Sequence, residues 1–135
     1  MPSFSSRSLE RLETCVPELQ LVLHEAILEY DFTVLCGHRG EEAQEKAFRD
    51  GNSNVHWPHG KHNSIPSKAV DVAPWFSEEP HVRWDDLVQF GVMAEVILRC
   101  AERNGIRLRW GHDWDMDGKL GERGENDWPH FEIVE

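Results

Sequence analysis

Cationic residues are scarce in this chain: 14 Lys and Arg stand against 25 Asp and Glu, a formal net charge of -11. Proteins that bind a phosphate backbone rely on clustered Lys and Arg to displace its counterions, so DNA and RNA are excluded as partners. Bound divalent cations would offset part of the acid, although solubility alone also accounts for it. Long apolar runs are missing as well. No stretch nears the roughly 20 residues that a membrane-spanning helix needs, which excludes membrane insertion. The first residues, Met1 to Glu10, hold no apolar segment behind a basic start. No signal peptide is therefore expected, and the protein should stay in the cytoplasm where it is made unless it is released by outside help. Cysteine is sparse, with 3 residues (Cys15, Cys36 and Cys100). An odd number in apolar surroundings, with no Cys-x-x-Cys pair, predicts buried reduced thiols and no disulfide framework. Internal repeats, low-complexity tracts and linkers are absent too.

What is present is the composition of a globular domain: 135 residues, 39% hydrophobic and 29% charged. That length buries enough surface for one core, so a single domain over residues 1–135 is expected, as a monomer. Between Val16 and Tyr30, Leu19, Val22, Leu23, Ala26, Ile27 and Tyr30 recur at helical intervals behind Pro17, which suits a first helical turn. Phe32 to Cys36 is a short β-rich run, and Glu41 to Arg49 is a polar-faced helix closed by Gly51. The stretch from Gly51 to Ser67 is crowded with His, Pro, Gly, Ser and Asn, which predicts a long loop. Loops of that length are usually functional or disordered, and the histidines favour function. Lys68 to Ala73 has the pattern of a strand. Asp85 to Asn104 has that of a helix, with Leu87, Phe90, Met93, Val96, Ile97, Cys100 and Ala101 on one stripe and Gly105 as its stop. Ile106 to Trp110 and Phe131 to Val134 complete the strands. Helices and strands alternate too irregularly for a doubly wound parallel sheet, so the expected class is α+β: an antiparallel sheet with helices packed on one side.

Two segments could carry chemistry. In Lys68-Ala69-Val70-Asp71-Val72-Ala73, alternation puts Val70 and Val72 on one face and Asp71 on the other between two alanines. A buried carboxylate is costly without a partner, and a metal ion is one such partner. A strand-edge acid facing water, or paired with an Arg, fits the same pattern. In Asp127-Trp128-Pro129-His130-Phe131-Glu132-Ile133, Phe131 and Ile133 are expected to face the core, leaving His130 and Glu132 on the opposite face. A structural histidine fits there as well as a ligand does.

Taken together, the run from His62 to Asp71 followed downstream by Asp127-x-x-His130 resembles the zinc peptidases. That group contains D-Ala-D-Ala carboxypeptidases and dipeptidases, phage L-alanyl-D-glutamate endopeptidases and the hedgehog signalling domain. Tyr30-Asp31-Phe32-Thr33 and Arg109-Trp110-Gly111-His112-Asp113-Trp114 are most similar to the phage endopeptidase branch. The resemblance implies His62, Asp71 and His130 as zinc ligands at the sheet face and Asp127 as the catalytic acid/base. Gly37-His38-Arg39 followed by Gln44 resembles the family's Gly-x-Arg and Gln. This implies Arg39 as a substrate and transition-state clamp, suited to it by a permanent charge and a fixed fork of donors, with Gln44 beside it as a substrate-binding or supporting residue. Gly60 stands where the family has a Ser, and the interval from His62 to Asp71 is lengthened around Ile65-Pro66, which a loop tolerates. His56 and His59 share a His-x-x-His spacing with His62, but only His62 has the family register.

Asp113, Asp115 and Asp117, followed by Gly118, open like a calcium loop, with Glu122 near its end. A calcium site and a solvated acidic turn both fit this segment. The resemblance implies a zinc-dependent peptidase that cleaves the L-Ala-D-Glu bond of peptidoglycan, as a phage or prophage endolysin held in the host cytoplasm until it reaches the cell wall. A D-alanyl-D-alanine carboxypeptidase of the same fold, or a zinc-stabilised binding module without catalysis, would share the ligand set.

Overall fold

In the computed structural model, residues 2–113, 116 and 127–135 are described. The chain opens with a helix that its sequence pattern did not announce, α1 (Ser6–Leu12). At 7 residues it is too short to be stable alone and takes its stability from tertiary contact. Its Ser5 side chain accepts from the Ser8 amide as an N-cap. Helix α2 (Pro17–Ala26) follows, then strand β1 (Phe32–Cys36), helix α3 (Glu41–Arg49) and strand β2 (Ala69–Pro74). Helix α4 (Leu87–Arg103) and strands β3 (Leu108–Trp110) and β4 (His130–Ile133) complete the described elements. The α+β class is as expected, with each boundary within a few residues of its sequence pattern. Acids in the first turn of α3 (Glu41 and Glu42) and bases in its last (Lys46 and Arg49) complement the helix dipole.

The strands form one antiparallel sheet in the order β1-β2-β4-β3. Val34, Val70, Val72 and Phe131 sit in the core with Leu19, Val22 and Leu23 of α2 and Phe90, Met93 and Ile97 of α4. Alternation then sends Asp71, His130 and Glu132 to the opposite face. Two apolar positions depart from expectation. Leu87, assigned to the core stripe, is the first residue of α4 and is 43% exposed. Ile133 is only partly buried, packing against the rim of the core.

Helix α1 runs along the free edge of β1. The Val34 amide donates to Ser8 Oγ at 3.0 Å, and Arg11 Nη1 donates to the Val34 carbonyl at 3.0 Å. An otherwise unpaired strand edge is thereby covered, which guards against edge-to-edge association. At the far end of β1 the pairing with β2 slips: Val34 lies opposite Val72, but Cys36 lies opposite Asp71. This bulge adds a residue on the β1 side and turns the Cys36 end of the strand towards the face that carries Asp71. Among the described residues no helix is long and apolar enough to cross a membrane.

Candidate metal centre and active site

Strand register builds the centre. Asp71 of β2 lies directly opposite His130 of β4, so the two side chains rise from neighbouring strands on one face. His62 comes from the long loop, where Lys61–Asn63 form a short 3-10 turn. His62 Nε2 lies 3.3 Å and His130 Nδ1 3.2 Å from the same atom, Asp71 Oδ1. The two imidazole rings meet edge to face, with centroids 5.1 Å apart. The three residues that the family resemblance implied as ligands thus lie together, both imidazoles against one carboxylate oxygen. His56 and His59 are elsewhere: His56 stacks on Phe48 and bonds Glu45, and His59 stays exposed at the rim.

The other nitrogen of each imidazole is also committed. His62 Nδ1 lies 2.7 Å from the Gly37 carbonyl, and His130 Nε2 lies 2.8 Å from Glu132 Oε1. A carbonyl accepts only, so His62 Nδ1 carries a proton and Nε2 is the nitrogen directed at Asp71. Glu132 is itself gripped by Arg109 Nη2 at 2.8 Å, with Lys61 Nζ at 3.8 Å. Outer partners of this kind orient histidine ligands around a metal. Glu132 shared a face with His130 in the sequence, but its role depends on the pairing with Arg109 across β3 and β4.

Electrostatics agree with a centre meant to hold positive charge. Burial alone would push the Asp71 carboxyl up, but hydrogen bonds from His130 and His62 outweigh it and hold the group well below the usual carboxylate range. Burial pulls His62 down, and its bonds to Asp71 and Cys36 outweigh that and raise it to about 10. Glu132, pushed up by burial, is brought down to about 2 by His130 and Arg109. Two imidazoles thus face the buried carboxylates of Asp71 and Glu132, and a divalent cation would replace protons at the same donors. The donor set of two imidazoles and a carboxylate, with its histidines backed by a carbonyl and a carboxylate, fits zinc.

Asp127 stands beside this group, its Oδ2 3.9 Å from His130 Nδ1. Partial burial pushes its carboxyl above the usual range, against the opposing pull of His130. The residue that follows Asp127 is held by aromatics: His112 stacks on Trp128 at 3.5 Å, and Trp110 Nε1 donates to the Trp128 carbonyl at 2.7 Å.

Arg39 reaches the centre from the turn before α3. Its Nη2 donates to Asp71 Oδ2 at 3.4 Å and its Nη1 to Gln44 Oε1 at 3.1 Å. Gln44 is 1% exposed. Its carbonyl accepts from Arg39 and Asn63, and its amide donates to Ser53 Oγ and the Val55 carbonyl. With both ends engaged, Gln44 acts as a support for Arg39. Asn63, which the sequence did not single out, accounts for Gly60. The Gly60 amide donates to Asn63 Oδ1 at 2.8 Å, and a Cβ at Gly60 would lie 2.8 Å from that oxygen. The side chain of Asn63 thus fills the space that a larger residue at position 60 would need.

Cys36 is the other unannounced member. Cys15 and Cys100 are buried free thiols as expected, but Cys36 is only partly buried. One donor atom each from Cys36, His62 and Asp71 lie within 4.8 Å of one another. His62, Asp71 and His130 open into a cleft of ≈ 880 Å³ whose lining includes Arg39, His59, Lys61, Trp84, Asp127 and Glu132. Of the acidic segment, Asp113 bonds the Trp110 carbonyl through its amide. Asp115, Asp117 and Glu122 lie outside the described residues.

The fold is that of a small α+β domain with a His-Asp-His cluster and a further carboxylate gathered on the open face of its antiparallel sheet. The chain belongs to the phage L-alanyl-D-glutamate peptidase family, whose profile it matches over residues 2–134. It is 32% identical to the L-alanyl-D-glutamate peptidase of Escherichia phage T5 over 136 residues, 97% of each chain. Its fold superposes on the Serratia marcescens L-Ala D-Glu endopeptidase ChiX with a TM-score of 0.77 at 26% identity, covering 98% of this chain and 91% of that one.

Proposed function

We propose that this protein is a zinc peptidase that hydrolyses the L-Ala-D-Glu amide bond of the peptidoglycan stem peptide. The observation that carries the reading is the meeting of His62 Nε2 and His130 Nδ1 at Asp71 Oδ1, beside Asp127, in a chain of this family. His62, Asp71 and His130 would hold the ion, which supplies a Lewis acid and lowers the pKa of water at the site. Asp127 accepts the proton of the water whose oxygen attacks the amide carbon. It then returns that proton to the nitrogen as the carbon–nitrogen bond breaks, leaving a carboxylate on L-Ala and an amine on D-Glu. Arg39 donates to the developing oxyanion, and Gln44 holds its guanidinium in place. Family membership and the T5 relative support a phage or prophage endolysin that acts on the cell wall after release from the host cytoplasm.

Digestion of purified peptidoglycan, with the fragments weighed, tests this. New amino groups on D-Glu are the expected product. Release of free D-alanine would identify a D,D-carboxypeptidase, and an uncut substrate with zinc bound would identify a binding module.

A further inference from the structure

We infer that the Cys36 thiolate is a further donor to the same metal ion, so that the centre is a His-Asp-His set with a sulfur ligand at its edge. This rests on the metal reading above and adds a residue to it. Strand pairing supplies the geometry. Cys36 lies opposite Asp71 on one side of β2, and His130 lies opposite Asp71 on the other. Three adjacent strands thus set sulfur, carboxylate and imidazole in one row. Regular pairing after Val34–Val72 would have put Leu35 opposite Asp71. The bulge puts Cys36 there, and bulges near functional sites commonly re-aim a side chain in this way. His62 of the long loop completes the group: one donor atom each of Cys36, Asp71 and His62 lie within 4.8 Å of one another, with the guanidinium of Arg39 on the sulfur at 3.9 Å.

Binding would cost the thiol its proton, which leaves to solvent as the sulfur–metal bond forms. Thiolate is a soft ligand that favours zinc and related ions over magnesium or calcium. Catalytic zinc centres keep a position for water and can expand to five ligands. A sulfur at the rim therefore competes with water for that position.

Cobalt(II) added to the metal-free protein is the probe, because cobalt–thiolate bonds give a charge-transfer band in the near ultraviolet while visible bands report cobalt binding itself. The expected spectrum of the native sequence has both. Cys36→Ser should lose the ultraviolet band and keep the visible ones, and Cys100→Ser should keep both. Visible bands without the ultraviolet band in the native sequence, or a band that survives Cys36→Ser, overturns the sulfur ligand and leaves the His-Asp-His centre standing. Failure to bind cobalt or zinc at all overturns the centre and the sulfur ligand together.

Discussion

Gly111 leaves no room for a side chain because Asp127 occupies it: a Cβ on Gly111 would lie 2.3 Å from the Asp127 carbonyl oxygen and 2.8 Å from its Cβ. The two backbones are also tied, Asp127 N–H donating to the Gly111 carbonyl at 3.1 Å. The same glycine donates to the His130 carbonyl at 2.8 Å. One small residue at the end of β3 thus sets the position of the proposed base and of a proposed ligand. Gly111→Ala should destabilise the fold by about 1–3 kcal/mol through overpacking against rigid backbone. Misplacement of about 1 Å at a reacting group can cost on the order of 10²-fold in rate, so turnover of the folded variant should fall as well. Thermal denaturation and peptidoglycan digestion of the same preparation measure the two. An alanine variant with unchanged turnover would separate Gly111 from the placement of Asp127.

Zinc content should be about one ion per chain. Removing it with a chelator should abolish hydrolysis and lower the melting temperature, since an ion bound only by the folded state stabilises it. His62→Ala, Asp71→Ala and His130→Ala should each lose zinc and activity together. Elemental analysis that finds full zinc occupancy in His130→Ala would remove that residue from the ligand set.

Asp127 is proposed to move a proton and not to hold the ion. Asp127→Asn should therefore retain zinc and its circular dichroism while turnover drops by roughly 10²-fold or more. Near-normal turnover in that variant would take Asp127 out of the mechanism.

Glu132 touches His130 Nε2 and is itself held by Arg109. Its replacement by Gln keeps the volume but weakens the grip on the imidazole, so zinc affinity should fall by about 10–100-fold. Competition with a chromophoric chelator reads this directly. An affinity equal to that of the native protein would make Glu132 a structural partner of Arg109 alone.

Gln44 is buried with both ends of its amide engaged, so Gln44→Ala strands several partners at once. A loss of roughly 1–3 kcal/mol is expected, the usual cost of leaving buried polar groups unsatisfied. Because Arg39 loses its support, kcat should fall while zinc content stays near one. Retained kcat with lowered stability would limit Gln44 to a packing role.

Much of this protein was legible from its residues alone. Period-two alternation around Asp71 and His130 fixed which side of each strand faces the core, because a strand cannot bury one face without exposing its alternate residues to the other. Helical periodicity located α2 and α4, whose apolar stripes make the core. The spacing of His62, Asp71, Asp127 and His130 carried the family resemblance. Tertiary structure alone decided the rest. Helix α1 is too short to declare itself by periodicity and exists through its bonds to the edge of β1. The sequence does not distinguish Cys36 from ordinary buried thiols, since a bulge is a property of two paired strands and cannot be seen in either one. Asn63 and Glu132 gained their places from partners distant in sequence, Arg39 and Gln44 for one and Arg109 for the other. Local pattern determines which face a side chain takes. Only the pairing of strands and the path of the long loop determine what it meets there.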